Sequence, residues 1–194
     1  MKFKESKLAH KYCVGNGIEI GAASHNPFNI EGCKFLACHD REEFWRKNEI
    51  SMCGEYITPD YYGTAEKIPL EDNCLDYIVS SHVIEHVPNP INAFLEWDRV
   101  LNKNGIIFMI FPKRDADKRD AIKEISSLES FIEQHNNPKN LTDENGHIWI
   151  FTLETMLNLI NYCKSEYNLE WDILKSLETD DKVGNGHCII CKKI

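Results

Sequence analysis

The segment "HVIEH", residues 82–86, sets two imidazoles and a carboxylate close together in the chain. Such a set can move protons near neutral pH or hold a divalent ion. A zinc peptidase of the H-x-x-E-H kind would use both histidines as ligands from one helix. Pro88 stops any helix soon after His86, and no acid on a matching downstream helix offers a third ligand. No metal is therefore expected, and zinc hydrolysis is kept only as a remote alternative. A further histidine, His147 in "GHIWIFT", joins His82 as a candidate general base for a hydroxyl nucleophile, with His86 and His25 weaker candidates. Cys188 and Cys191 in "HCIICKKI" have C-x-x-C spacing, yet a lone pair inside a strand-like tail reads as packing rather than zinc or redox chemistry.

The second group is "GNGIEIGAASHNPFNI", residues 15–30, where Glu19 and Gly21 close a short apolar run. A P-loop ends in Gly-Lys-Ser/Thr, and a dinucleotide loop needs G-x-G-x-x-G. Both gather backbone N–H groups around phosphate. After Gly21 the chain runs "AASHNPFN", with no further glycine. A ligand with adenosine and no phosphate needs no such cradle. S-adenosylmethionine is one, and its sulfonium cation suits an acid such as Glu19. Glu19 can equally tie down the N–H groups of its own loop. Asp40, 19 residues beyond Gly21, falls near the position where a second-strand acid takes ribose hydroxyls, with Ala37 the alternative register. Ala65 and Glu66 in "YYGTAEKIPLEDN" fall where a loop would flank adenine.

These residues need a frame that gathers strand ends. The 194 residues suit one domain, and a net charge of −9 argues against nucleic acid or an acidic membrane as partner. "IIFMIF" at 106–111 is too short to span a bilayer, and the basic start lacks an apolar export core, so free thiols and the cytoplasm are expected. "GIEIG" (17–21), "KFLAC" (34–38), "CLDYIVSS" (74–81) and "GIIFMIFP" (105–112) read as strands, and "PDYYGTA" as another strand end. Between the last two full strands lies a helix with Asn89 as N-cap and Pro90 in its first turn. Ile91, Phe94, Leu95 and Leu101 form one face, and Gly105 is the stop signal. Strand, helix, strand makes a βαβ unit and hence a parallel sheet. The tail, with "DDKVGNG" between two strand-like runs, predicts an antiparallel hairpin. Residues 113–146 are the most polar stretch and suit either a solvated helix and loop or a lid. Lys113, Arg114 and Lys118 could give that lid a positive edge.

The run "GTAEKIPLEDNCLDYIVSSHVIEHVPNPINAFLEWDRVLNKNGIIFMIFP" resembles the central stretch of class I S-adenosylmethionine-dependent methyltransferases. With "GIEIGAASHNP" and "GHIWIFT" it is similar to small methyltransferases associated with bacterial surface-polysaccharide gene clusters. The resemblance implies a Rossmann-like α/β fold: seven strands, mostly parallel, with an antiparallel C-terminal strand and helices on both faces. It implies one domain over 1–194, with 113–146 as a lid or substrate-binding insertion. It assigns Glu19, Gly21 and Ala22 to the first cofactor motif and Asp40 to the second. Thr64, Ala65 and Glu66 take the adenine motif, and Ser81 and His82 the loop after the fourth strand. Thr64 stands where the family commonly has Asp, which weakens that contact. Only residues 22–32 separate the first two strands, too few for a crossover helix, so an irregular link shaped by Pro27 is expected. The implied activity is methyl transfer to an oxygen of a small molecule or glycan precursor. Alternatives are N-methyl or phosphate-type O-methyl transfer, or a binding module without turnover.

Overall fold

The computed structural model describes residues 4–38, 42–142 and 146–194. Seven strands form one sheet: β1 (Gly17–Ile20), β2 (Lys34–Ala37), β3 (Tyr61–Tyr62), β4 (Leu75–Ser81), β5 (Leu101–Pro112), β6 (Trp171–Leu177) and β7 (Gly186–Lys193). Their order is β3-β2-β1-β4-β5-β7-β6. The first five pair in parallel, and β7 runs antiparallel to both β5 and β6. This is the expected Rossmann-like sheet with its C-terminal hairpin. The central strands are apolar on both faces because helices or loops cover both.

One face packs against α3 (Pro90–Val100), α4 (Leu128–Asn136) and α5 (Leu153–Tyr167), with Phe94, Trp97, Phe131 and Ile160 fully buried. The other is covered by α1 (Lys7–Tyr12) and the link from β1 to β2, which bury Ala9, Phe28, Tyr77 and Phe108 together. That link is irregular, as its length requires. Phe28 does the work of the missing helix, its ring edge-on to Phe108 with centroids 5.7 Å apart. The helix α2 (Glu42–Cys53) joins β2 to β3.

The α3 helix starts as its sequence demands: the Asn89 side chain accepts from the Asn92 N–H, and Pro90 occupies the first turn. It ends earlier than the apolar pattern suggested. Leu101 is no longer helical: it is extended, caps the helix by donating its N–H to Trp97, and pairs with Leu75. Burial of Leu101 is satisfied from the strand instead of the helix, and the register then shifts before Tyr77 meets Ile106. Cys188 and Cys191 both lie in β7, but three positions apart on a strand they point to opposite faces, one in each core cluster. They cannot share a metal or a disulfide. Within 113–146, α4 contributes Phe131 to the core, and Ser126 is tied by its N–H and its hydroxyl to the backbone of Ile150. Among the described residues, no helix is long and apolar enough to cross a membrane.

Candidate active site

At the carboxyl ends of β1, β2 and β4 opens a cleft of about 690 Å³. Its wall includes Glu19, Gly21, Ala22, Thr64, Ala65, Glu66, Ser81 and His82, so the structure brings together all the expected cofactor residues except Asp40, which lies outside the described residues. Ala37, the alternative to Asp40, also lines it. His25 and His86 do so as well, whereas His147 lies on an adjoining cavity.

Each wall has a local cause. Gly21 has φ +70° and donates to Leu36 O, which keeps the end of β1 tied to β2. A Cβ there would sit 2.7 Å from Val83 Cγ2. Glu19 is buried, and one carboxylate oxygen accepts from the Phe28 N–H at 3.1 Å. The acid therefore faces the cleft and ties its own loop at once. Burial pushes its pKa up to about 7, against the opposing pulls of that hydrogen bond and of Lys182. The loop holding Thr64–Glu66 is clamped by α3. Trp97 Nε1 donates to Ala65 O at 3.0 Å, Ile68 N–H to Glu96, and Arg99 bonds the carbonyls of Ile68 and Leu70. Burial raises the pKa of Glu66, while the Asn89 N–H opposes it.

The hairpin between β6 and β7 supplies a wall that sequence reasoning missed. Asp180 accepts N–H bonds from Lys182, Val183, Gly184 and Gly186, curling the turn so that Val183 and Asn185 reach the cleft. Burial acts to raise the Asp180 pKa, but these donors outweigh it and hold it below its ordinary value. "DDKVGNG" signals a turn; nothing in it signals that the turn reaches the first strand. Glu49 of α2 was also missed: it accepts from the N–H and hydroxyl of Ser24 and lines the cleft.

The histidines gather at the end of β4. His82 has φ +56°, and a 3-10 turn, Ile84–His86, follows. The α-helical spacing that H-x-x-E-H requires is not formed. His82 Nδ1 lies 3.5 Å from Glu85 Oε1. Burial acts to lower the His82 pKa, but the Glu85 carboxylate, with Asp180 and Asn185, more than offsets it, leaving the ring above its ordinary value. His147 is held beside this turn because the N–H groups of Ile148 and Trp149 both donate to Glu85 O and Trp149 Nε1 donates to Val87 O. Its Nδ1 contacts the buried Asp120, and its ring meets His86 edge-on at 4.7 Å. Asp120 comes from the polar stretch, where no pattern marked it. Of the suggested cations, two are engaged locally: Lys113 with Thr179 and Arg114 with Lys123 O.

Among the described residues, the cleft lining contains three carboxylates, Glu19, Glu49 and Glu66, and neither Lys nor Arg. Among the described residues phosphate meets no Lys or Arg on this wall, while a cationic adenosine ligand finds an acid-lined, largely apolar cleft. S-adenosylmethionine therefore fits the residues present.

Independent comparisons agree. Residues 40–109 match the family model described as a methyltransferase domain. No curated protein matches the sequence. A solved structure from Thermotoga maritima, described as an S-adenosylmethionine-dependent methyltransferase and possible histamine N-methyltransferase, is 20% identical, with 96% of this chain and 92% of that one covered at a TM-score of 0.55. An S-adenosylmethionine-dependent methyltransferase from Methanosarcina mazei is 16% identical, with 97% of each chain covered and a TM-score of 0.54. One from Aquifex aeolicus is 14% identical, covering 92% and 82%, at 0.52. The family match and the fold together support a class I S-adenosylmethionine-dependent methyltransferase, with S-adenosylmethionine as its cofactor.

Proposed function

We propose that this enzyme methylates a hydroxyl oxygen of a small molecule or glycan precursor in the cytoplasm, and that the product serves surface-polysaccharide assembly. The observation that carries methyl transfer is the acid-lined cleft ending at His82. The glycan assignment rests on the sequence resemblance. When bound, S-adenosylmethionine supplies a methyl group whose C–S bond breaks, leaving its electron pair on sulfur, as the acceptor oxygen bonds the carbon. Glu19, Gly21 and Ala22 bind one part of the cofactor, and Thr64, Ala65 and Glu66 flank its adenine. Ser81 and His82 border the transferring group. Asp40 is retained as the ribose ligand. His82 takes the hydroxyl proton; its place on the cleft wall and the Glu85 carboxylate beside it favour that role over His147. The acceptor enters from the side of residues 113–146, supported by a cavity of about 480 Å³ between that segment and His147.

The test is transfer of labelled methyl to a panel of sugars and nucleotide sugars, with the methylated atom located by NMR. His82→Ala should lower kcat by about a hundredfold or more while the protein still binds S-adenosylhomocysteine. Full turnover by both His82→Ala and His147→Ala at saturating acceptor would remove the histidine base.

A further inference from the structure

Glu85 is fully buried, and among the described residues neither of its carboxylate oxygens has a hydrogen-bond donor. An ionised carboxylate in that setting is strongly disfavoured unless something cationic meets it. The groups facing it are rings. His82 Nδ1 lies 3.5 Å and His147 Nε2 3.9 Å from Oε1, neither close enough for a full hydrogen bond, and the Glu85, His86 and His147 ligand atoms all fall within 4.8 Å of one another. The other side of His147 fixes its proton. Asp120 is itself 1% exposed and contacts Nδ1, so that nitrogen carries the hydrogen and donates it. Nε2 is then left with a lone pair on the side of Glu85, whose oxygens accept no hydrogen bond among the described residues. His147 Nε2 and the unsatisfied Glu85 Oε1 thus stand 3.9 Å apart, a spacing one ion can bridge.

We propose that Glu85, His86 and His147 form a site for a divalent transition-metal ion of the zinc, manganese, iron or cobalt class, with Asp120 as the positioning residue behind His147. Two imidazoles and one carboxylate suit these ions, and a metal-bound histidine ordinarily donates its other ring N–H to a carboxylate, the arrangement seen at Asp120. Tetrahedral ligands about 2.1 Å from one ion stand about 3.4 Å apart, so side-chain adjustments of roughly an ångström close the set. The second possible group, Asp117–Asp120–His147, is less apt. Asp120 and His147 already touch, and Arg119 engages both oxygens of Asp117. The backbone is built for the first set, since the Ile148 and Trp149 N–H groups dock the His147 segment on Glu85.

The location gives the ion a use. His86 lines the cofactor cleft, and His147 lines the 480 Å³ cavity beside it, so the ion sits on the partition between the two. An acceptor hydroxyl bound there would be acidified, with its proton passing to His82 or to water. This use rests on the methyltransferase reading; the site itself does not. It stands against the expectation of no metal drawn from the sequence, and the test below decides between them.

The test uses the intact chain, stripped of metal by chelator and titrated with Co²⁺ while visible absorption is recorded, and with Zn²⁺ by calorimetry. One equivalent should bind, with cobalt d–d bands in the visible. Glu85→Gln and His147→Ala should each abolish the bands or weaken affinity at least tenfold, and Asp120→Asn should weaken it about tenfold to a hundredfold. Circular dichroism checks that each variant is folded; should Glu85→Gln unfold, His86→Ala replaces it. Folded wild-type protein that binds neither ion at about 100 µM, or binding indifferent to these substitutions, overturns the proposal. S-adenosylhomocysteine binding is measured in parallel on the metal-free protein. Cofactor binding without metal binding defeats the site alone, and metal binding without cofactor binding defeats the methyltransferase reading alone.

Discussion

Glu19 shows how one residue carries two duties that pull its chemistry in opposite directions. Tying the 22–33 loop favours the carboxylate, while burial favours the acid, and the balance leaves a pKa of about 7. Because the folded-state value exceeds the unfolded one, the folded chain keeps a proton that the unfolded chain has already lost. The stability this confers is full below the unfolded pKa and drains away as pH rises toward 7. Glu19→Gln should flatten that slope, so that wild type loses on the order of 2 kcal/mol relative to the variant between pH 5 and 8 in urea titrations. A cationic ligand in the cleft favours the charged acid, so cofactor binding at pH 7 should release about half a proton. Calorimetry in buffers of different ionisation enthalpy reads that number, and Glu19→Gln should abolish it. No release in wild type would mean that Glu19 serves its loop alone. Glu19 was legible from its place at a strand end beside a single glycine. Asp120 and Glu49 were not, because a buried acid in a polar run or a helix differs from a solvated one only through partners distant in sequence.

The elements that shape the cleft divide between those with local signals and those without. The α3 helix and the tail hairpin announce themselves through Asn89-Pro90 and through the turn residues in "DDKVGNG". The end of α3 did not, since Leu101 is apolar and fits the helical face as well as the strand that finally takes it; only pairing with Leu75 decides. The route by which the hairpin turn reaches the first strand is also a tertiary fact. Lys182, buried on that turn, donates to Pro27 O at 2.7 Å and stands 4.6 Å over the Phe28 ring. The hairpin thereby braces the same loop that Glu19 holds from within. Asp180→Ala removes the acceptor of four backbone N–H groups, each expensive to leave unpaired. It should cost about 2–4 kcal/mol in urea unfolding and weaken S-adenosylhomocysteine binding severalfold. Asp181→Ala, next in sequence but bonded to Ser6 and Leu8, should spare cofactor affinity even where it costs stability. Equal effects on binding would disconnect the turn from the cleft.

At the scale of the whole molecule, one sheet divides two cores that differ in what covers them. Helices α3, α4 and α5 cover one, while a short α1 and an irregular loop cover the other. The thin side depends on the sheet for its stability, because the β1–β2 link has no internal hydrogen-bond ladder of its own. The cysteines report on both sides at once. Cys13, Cys33 and Cys188 lie in the loop-covered cluster, and Cys163 and Cys191 in the helical one. Burial raises the pKa of all five, to about 11 for Cys33 and about 12 for Cys163 and Cys191, so their thiolate populations near neutral pH are minute. A thiol reagent at pH 8 should therefore react promptly only with the less buried Cys38, Cys53 and Cys74. The remaining five should follow together, at one rate set by unfolding, if a shared sheet makes the two cores a single cooperative unit. Mass spectrometry of peptides after timed labelling resolves each site. Should Cys13 and Cys33 label well ahead of Cys163 and Cys191, the loop-covered face opens by itself. The cofactor cleft, whose first wall is that loop, would then be stabilised chiefly by its ligand, and S-adenosylhomocysteine should slow the early phase and leave the late one unchanged.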